Sequence, residues 1–205
     1  MLEAMSRPII HHRSSDFRAI FGRCLDRLAE VYRTKDDVLV YTASGTGGME
    51  SAVSNLTRPG DRVVVVSAGH FGERWAAMAR TFGCEVDALR YEWGESPPAE
   101  DLAQRLRELG GAKVVFTTHS ETSTGVVADV QGLAAAAKEA GALVVVDAVS
   151  SLGAVPLETD AWSLDAVVSG SQKALMSPPG LATVSVSAAA WDAVETDAPS
   201  RYYFD

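Results

Sequence analysis

Seven short apolar runs are spaced along the chain, and polar or glycine-rich segments separate them. Each run is four to six residues long, which is typical of a buried strand and too short for an ordinary helix. The pattern therefore predicts seven strands, at 38–41, 62–67, 84–89, 113–117, 143–147, 165–168 and 181–186.

Between these runs, apolar residues repeat every three or four positions, as they do along one face of an amphipathic helix. The longest such stretch extends from Phe17 to Val31, and Ser14 or Ser15 can cap it. Because strands and helices alternate and the middle strands are apolar throughout, the sequence predicts an α/β fold whose largely parallel sheet is covered on both faces. The other helices are predicted at 49–56, at about 74–82, at 99–109 and at 130–140.

Composition and charge exclude several classes of protein. With 205 residues, 47% of them hydrophobic, the chain can bury a substantial core, and its net charge of −9 argues against a nucleic-acid partner. No apolar run approaches the roughly 20 residues of a membrane helix, and no signal peptide is recognisable, so no membrane association is expected. Cys24 and Cys84 lack metal-ligand spacing, which predicts no metal site and two buried, reduced thiols in a cytoplasmic protein.

A single lysine, Lys173, lies in a loop between the last two predicted strands. The loop, at 169–180, has the sequence Ser-Gly-Ser-Gln-Lys-Ala-Leu-Met-Ser-Pro-Pro-Gly. A partly buried lysine loses its proton more readily, and its amine can then form a Schiff base. The alternative is a solvated loop lysine, which this stretch taken alone favours.

Other candidate residues follow directly after predicted strands. A Gly-rich stretch at 44–48 precedes a helix, and Phe71, Thr122 and Asp147 follow or end further strands. Helix N-termini bind phosphate, aromatic rings stack on flat cofactors, and ligands bind beyond the carboxyl ends of parallel strands. Each signal is weak alone: the Gly-rich stretch matches neither G-x-G-x-x-G nor a P-loop, Phe71 could belong to the core, and Asp147 could cap a turn.

Together, these residues match the needs of pyridoxal 5'-phosphate. A lysine holds the aldehyde as an imine, an aspartate keeps the pyridine nitrogen protonated, an aromatic residue covers the ring, and a Gly-rich helix start holds the phosphate. The sequence therefore predicts this cofactor, with Lys173 and Asp147 as the catalytic residues.

The same motifs resemble those of the class V, fold-type I aminotransferases, most closely the alanine–glyoxylate and serine–glyoxylate (serine–pyruvate) group. The resemblance covers almost the whole chain and is specific as an ordered set. It rests on Ser-Gly-Thr-Gly-Gly-Met-Glu at 44–50, Thr-His-Ser-Glu-Thr-Ser-Thr-Gly at 118–125, Val-Asp at 146–147 with Ser-Leu-Gly at 151–153, and Ser-Gly-Ser-Gln-Lys-Ala-Leu at 169–175 with Pro-Pro-Gly at 178–180.

This resemblance implies a role for each site residue. Lys173 would be the imine lysine, Asp147 the partner of the pyridine nitrogen, and Phe71 the stacking residue, where some relatives carry Trp. Thr122 would lie near the ring hydroxyl. Four further cofactor-binding residues would lie near the phosphate, namely Ser44, Gly45, Thr46 and Gln172.

The resemblance also implies a three-layer α/β/α domain, similar to the large domain of aspartate aminotransferase, with a mainly parallel mixed sheet. A homodimer is expected, because this family builds its sites between subunits. Family members are far longer and carry a C-terminal small domain, so the chain is expected to be a fragment. The chain would then consist of two parts. Residues 1–190 would form a cofactor-binding large domain that lacks its N-terminal edge, and residues 191–205 would begin a linker to an absent small domain.

The reaction implied is the transfer of an amino group from a small amino acid, alanine or serine, to a 2-oxo acid such as glyoxylate or pyruvate. His12 and Arg13 precede the first long helix and are candidates for contact with an anionic substrate, although a surface position is the plainer interpretation.

Several alternatives stay open on the sequence. Within the fold, they are a 2-aminoethylphosphonate-type aminotransferase and a cysteine desulfurase-like lyase. In desulfurases, one His commonly stacks on the cofactor ring and another precedes the lysine. This chain has Phe71 and Gln172 at those two positions. Outside enzymology, the chain could be a truncated, non-catalytic partner subunit. A dinucleotide-binding Rossmann domain would require G-x-G-x-x-G after the first strand, and that spacing is absent.

Overall fold

The computed structural model describes residues 2–194 and 201–205, and its centre is a seven-stranded sheet. Across the sheet the strand order is β1-β9-β8-β7-β4-β2-β3, and a separate two-stranded ribbon pairs β5 with β6. The bounds are β1 Asp37–Tyr41, β2 Arg62–Ser67, β3 Glu85–Arg90, β4 Val114–Thr118, β5 Ser120–Glu121, β6 Val126–Val127, β7 Leu143–Asp147, β8 Ala166–Gly170 and β9 Ala182–Val186. Within the seven-stranded sheet, β9 is antiparallel to both of its neighbours and the other four pairs are parallel, which confirms the mainly parallel mixed sheet.

Helices cover both faces of this sheet, as the three-layer prediction requires. Side chains alternate along a strand, so Val63 and Val65 enter one core while Val64 and Val66 enter the other. The first core receives α3, α4 and α7, and the second receives α2, α5 and α6. The bounds are α1 Leu2–Met5, α2 Ser15–Tyr32, α3 Gly45–Leu56, α4 His70–Thr81, α5 Ala99–Leu109, α6 Val130–Glu139 and α7 Ala188–Ala193. Within the described residues, no helix is both long and apolar enough to cross a bilayer.

The seven predicted strands are all present, and their directions fix where a ligand can bind. Strands β1, β2, β4, β7 and β8 run in one direction, because β9 alone is reversed between β1 and β8. Their carboxyl ends therefore meet at one edge of the sheet, which is where ligands bind in folds of this kind.

The Gly-rich stretch is the first turn of a helix, where the sequence predicted a loop before the helix. Helix α3 begins at Gly45, and its first turn packs against the strands and the turn after β7. A Cβ on Gly45 would lie 2.6 Å from Val149 Cγ2, and one on Gly48 would lie 2.8 Å from Val168 Cγ1. The glycines are thus needed for the close approach of α3 to the sheet.

The prediction of two buried thiols is half wrong. Cys84 is buried and its thiol lies 3.2 Å from Thr57 Oγ1, but Cys24 is exposed on α2. Ile20 and Phe21 on the same helix are exposed too, so the sheet covers only part of the apolar face of α2.

The last described residues pack back onto the domain. Trp191, taken from the sequence as the start of a linker, lies within α7. Beyond it, the ring of Phe204 meets that of Tyr41 edge-on at 5.5 Å, and Asn55 Nδ2 donates to the Phe204 carbonyl at 2.6 Å. The division at 190 and the linker at 191–205 stay predictions, and part of the linker, 195–200, lies outside the described residues.

Candidate active site

One pocket of about 120 Å³ opens at the carboxyl edge of the sheet, and all eight residues predicted to bind the cofactor line it. Five chain segments contribute, each following a different strand: β1, β2, β4, β7 and β8. The eight predicted residues are Ser44, Gly45, Thr46, Phe71, Thr122, Asp147, Gln172 and Lys173. Four lining residues were missed from the sequence, namely Met49, Arg74, Val149 and Ser150.

Asp147 is the buried acid of this pocket. It is 4% exposed, and its Oδ1 accepts a hydrogen bond from the Val149 N–H at 2.9 Å. Burial raises the pKa of Asp147 to about 6; the Val149 hydrogen bond opposes this shift, and the Glu121 carboxylate adds to it. A buried carboxylate with so little compensation is unfavourable by itself, and a cationic or N–H partner in the pocket would relieve that cost.

The N-terminus of α3 forms the phosphate-sized end of the pocket. Ser44 is the N-cap residue, yet its hydroxyl makes no capping hydrogen bond to the helix. Its carbonyl accepts from the Gly47 and Gly48 N–H groups at 2.8 and 3.2 Å. The N–H groups of Gly45 and Thr46 precede any helical acceptor, so they and the Ser44 hydroxyl are available to an anion.

Arg74 joins the two sides of this end. Its Nη1 donates to Thr46 Oγ1 at 2.7 Å, and its Cζ lies 4.6 Å from the centroid of the Phe71 ring. Because Thr46 Oγ1 accepts from Arg74, its own hydroxyl hydrogen is free to point elsewhere. The signal that could have revealed Arg74 is its position three residues after Phe71, on the same face of α4.

Thr122 and Ser150 bring two loops together beside Asp147. Their hydroxyl oxygens are 2.6 Å apart, so the polar loop after β4 is tied to the turn after β7. Ser150 lies three residues beyond Asp147 and next to a second serine, and nothing in the sequence distinguished it.

Lys173 follows β8, and its side chain is exposed in this chain, whereas partial burial was expected. The difference arises because the lysine lies at the mouth of the pocket. Its loop is nevertheless held in shape by Ser171, whose hydroxyl donates to the Pro178 carbonyl at 2.6 Å and whose carbonyl accepts from the Ser177 N–H at 2.9 Å. The lysine is therefore carried on a braced loop.

His12 and Arg13 do not line the pocket. Both are exposed in the segment before α2, where His12 stacks on His11 with ring centroids 4.7 Å apart. A role for either residue in substrate binding stays a prediction.

The pocket fits pyridoxal 5'-phosphate in three independent respects. It offers N–H groups that precede any helical acceptor at a helix start, a buried carboxylate with room for a donor, and a primary amine on a braced loop. A three-layer fold with this set of groups at the carboxyl edge of its sheet is typical of the cofactor-binding domain of pyridoxal phosphate-dependent enzymes.

Comparison with known proteins is more specific. The chain belongs to the class-V aminotransferases, whose family model (Aminotransferase class-V) matches residues 3–198. The description of that family names transaminases, and it implies pyridoxal phosphate as the cofactor.

Three relatives illustrate the family. The chain is 44% identical to a protein named soluble hydrogenase 42 kDa subunit from Anabaena cylindrica, covering all of this chain and 54% of that protein. It is 39% identical to the L-aspartate–glyoxylate aminotransferase of Paracoccus denitrificans, with 100% and 53% coverage. It is 36% identical to the serine–glyoxylate aminotransferase of Methylorubrum extorquens, with 100% and 54% coverage.

Solved structures agree on the fold. An aspartate aminotransferase of subgroup IV from Thermus thermophilus superposes with a TM-score of 0.92 at 42% identity, over all of this chain and 57% of that one. The alanine–glyoxylate aminotransferase of Nostoc sp. gives a TM-score of 0.94 at 32% identity, over 100% and 55%. The chain thus spans about half the length of the relatives that it matches.

Proposed function

We propose that this protein transfers an amino group from a small amino acid to a 2-oxo acid. Alanine, serine and aspartate are the donors to test first, and glyoxylate is the first acceptor, because proteins similar to this chain carry those names. The observation that carries the proposal is the meeting of Asp147, Lys173 and the start of α3 in one pocket. The lyase and phosphonate alternatives are not favoured by these relatives.

Each group has a defined task in such a reaction. The bound cofactor supplies an electron-accepting ring that stabilises negative charge on the substrate Cα. The Asp147 carboxylate would accept a hydrogen bond from the protonated ring nitrogen and so keep that proton in place. Lys173 Nζ would hold the cofactor and, once released by the substrate amine, would take the proton from the substrate Cα and return it to the cofactor carbon.

The remaining pocket residues bind and orient the cofactor. The α3 N–H groups, Ser44 and Thr46 would bind the phosphate, and Arg74, which donates to Thr46, would place a positive charge beside it. Phe71 would cover one face of the ring, and Thr122 would offer a hydroxyl at its edge.

A homodimer is part of the proposal. Several apolar side chains before and on α2 are exposed, among them Ile9, Ile20, Phe21 and Val31. A patch of this kind is typical of a surface that another subunit covers. Sedimentation of the purified protein tests it, because a monomer at micromolar concentration would contradict the dimer.

We also propose a cytoplasmic location. It is supported by two free cysteines, one of them exposed, because exposed free thiols are uncommon in oxidising compartments. Fractionation of the source cells tests the location.

Visible absorption tests the function. The complete polypeptide encoded by the gene is mixed with pyridoxal phosphate, then with L-alanine, L-serine or L-aspartate, and finally with glyoxylate. We expect a band that depends on Lys173, bleaches with at least one amino acid and returns with glyoxylate. Lys173→Ala is the control, and a band that persists in this variant would contradict the assignment of Lys173.

A further inference from the structure

We propose that Glu121 is a positioning residue of the cofactor site, which fixes Phe71 and Thr122 by capping α4 from a different chain segment. This inference rests on the proposed function and extends it to a residue that does not line the pocket. The carboxylate belongs to β5, the short strand that precedes Thr122.

Helix α4 has no N-cap side chain of its own. Its N-cap residue is Gly69, so the first N–H groups of the helix have no local side-chain acceptor. Glu121 Oε2 takes this role and accepts from the Phe71 N–H at 3.0 Å and from the Gly72 N–H at 3.1 Å. The stacking residue is therefore held through its own backbone.

The second carboxylate oxygen extends the network. Glu121 Oε1 accepts from the Ser123 N–H at 3.1 Å and from the Ser123 hydroxyl at 2.6 Å. Ser123 Oγ in turn accepts from the His70 N–H at 3.1 Å. Three successive N–H groups at the start of α4 are thus served by two residues that flank Thr122.

Burial makes this arrangement specific. Glu121 is 5% exposed, and a Cβ on Gly69 would lie 2.4 Å from Glu121 Cγ, so the glycine is needed to admit the side chain. A buried carboxylate requires donors, and the four N–H and O–H donors together with the positive end of the α4 dipole supply them.

The consequence for the site is mechanical. Phe71 lies in the first turn of α4, which follows β2, and Thr122 lies in the polar segment that follows β4. Glu121 joins these two segments through two hydrogen bonds and Ser123 joins them through one, so loss of the Glu121 carboxylate should loosen both groups at the cofactor ring. The Glu121 charge also raises the pKa of Asp147, and its removal should move the acid limb of the pH profile to lower pH.

Glu121→Gln tests the proposal, because the amide keeps the size of the side chain but replaces one acceptor oxygen by a donor. The matched control is Asp129→Asn, since Asp129 caps α6 through the Gly132 N–H at 2.9 Å and does not line the pocket. Both variants lose a carboxylate helix cap, but only one lies beside the site. Ser123→Ala is a milder second variant if Glu121→Gln folds poorly.

Three readouts are compared in the complete polypeptide. In the cofactor-free protein, we expect amide hydrogen exchange at 70–72 to accelerate at least about tenfold in Glu121→Gln, because a capping interaction is lost. Affinity for pyridoxal phosphate should fall roughly 10- to 100-fold, as expected for displaced positioning groups. The visible circular dichroism of the bound cofactor should weaken, whereas Asp129→Asn should leave all three unchanged.

Two failures can be told apart. If wild type shows no lysine-dependent band, the proposed function is wrong. If wild type shows the band and Glu121→Gln matches its cofactor affinity and circular dichroism within about twofold, less than 0.5 kcal/mol, the function stands and the role of Glu121 is overturned.

Discussion

Two aspartates at opposite edges of the sheet are almost equally buried but differ in the hydrogen-bond and ion-pair partners of their carboxylates. Asp147 ends β7 at the carboxyl edge and is 4% exposed; Asp165 precedes β8 at the amino edge and is 3% exposed. Asp165 accepts from the Val144 N–H at 2.6 Å and the Ser187 hydroxyl at 3.1 Å, and it pairs with Lys138. Among the described residues, the Asp147 carboxylate accepts one hydrogen bond, and burial raises its pKa to about 6.

The contrast separates an acid that the fold itself satisfies, Asp165, from the acid that we propose to be functional, Asp147. The fold satisfies Asp165 with a cation, an amide and a hydroxyl, so this charge stabilises the strand start. At Asp147 the fold leaves a polar group undercompensated in a pocket, and a ligand is needed to complete it. Burial alone therefore does not distinguish the roles of the two aspartates, whereas the number of hydrogen-bond donors around each carboxylate does.

Asp147→Asn should have the largest effect on turnover. Turnover of the complete enzyme should fall about 10²- to 10³-fold, the usual effect of removing one charge-stabilising group from a site. In the cofactor-free protein at pH 7, the free energy of unfolding should rise by up to about 3 kcal/mol, because the unfavourable buried charge is gone. Steady-state kinetics and urea unfolding measure the two effects, and a loss of stability would contradict this account.

Asp165→Asn should have the opposite signature. We expect the free energy of unfolding to fall by about 3 kcal/mol, because the substitution leaves Lys138 without its partner. Activity per folded molecule should stay within about twofold of wild type, since Asp165 lies at the far edge of the sheet. Urea unfolding and active-site titration measure these quantities, and a large loss of specific activity would count against the division of roles.

The stability difference between wild type and Asp147→Asn should depend on pH. The pKa of Asp147 is raised from 3.8 to about 6 in the folded chain, so between those values the folded state binds more protons than the unfolded state. Without cofactor, the free energy of unfolding of wild type should be lower than that of Asp147→Asn. This difference should have its full size above pH 6 and vanish as the pH falls towards 4. Urea unfolding at several pH values would show this, and a constant difference would contradict the raised pKa.

Arg74→Lys should produce the smallest of these effects. The substitution keeps a positive charge but loses the hydrogen bond to Thr46 in its present geometry and the stacking on Phe71, which together contribute about 1 kcal/mol. Affinity for pyridoxal phosphate should fall about fivefold. Arg90→Lys is the control. Arg90 forms an ion pair with Glu73, which lies on the same helix as Arg74, but Arg90 does not line the pocket. Equal effects of both substitutions would deny Arg74 a place at the phosphate.

Much of this arrangement could be predicted from the sequence, because the responsible signals are local. The apolar runs mark all seven strands of the sheet, and residues that follow strands of one direction must share an edge, so the eight lining residues could be grouped without coordinates. The start of α3 was misplaced because glycines usually signal a loop, and tertiary packing against Val149 and Val168 overrides that preference.

Contacts between distant segments could not be predicted. Arg74 and Ser150 reach the pocket from a helix face and a turn, and Glu121 caps a helix more than forty residues before it. The exposure of Cys24 and Lys173 was missed for a related reason. Periodicity shows which face of an element is apolar, but not how much of that face a neighbour covers.

A crystal structure of the complete polypeptide grown with pyridoxal phosphate would show whether the pocket holds the cofactor as proposed. We expect continuous electron density from Lys173 Nζ to the cofactor, a carboxylate oxygen of Asp147 about 3 Å from the ring nitrogen, and the phosphate at the start of α3. Cofactor density elsewhere, or a ring nitrogen that faces away from Asp147, would contradict it.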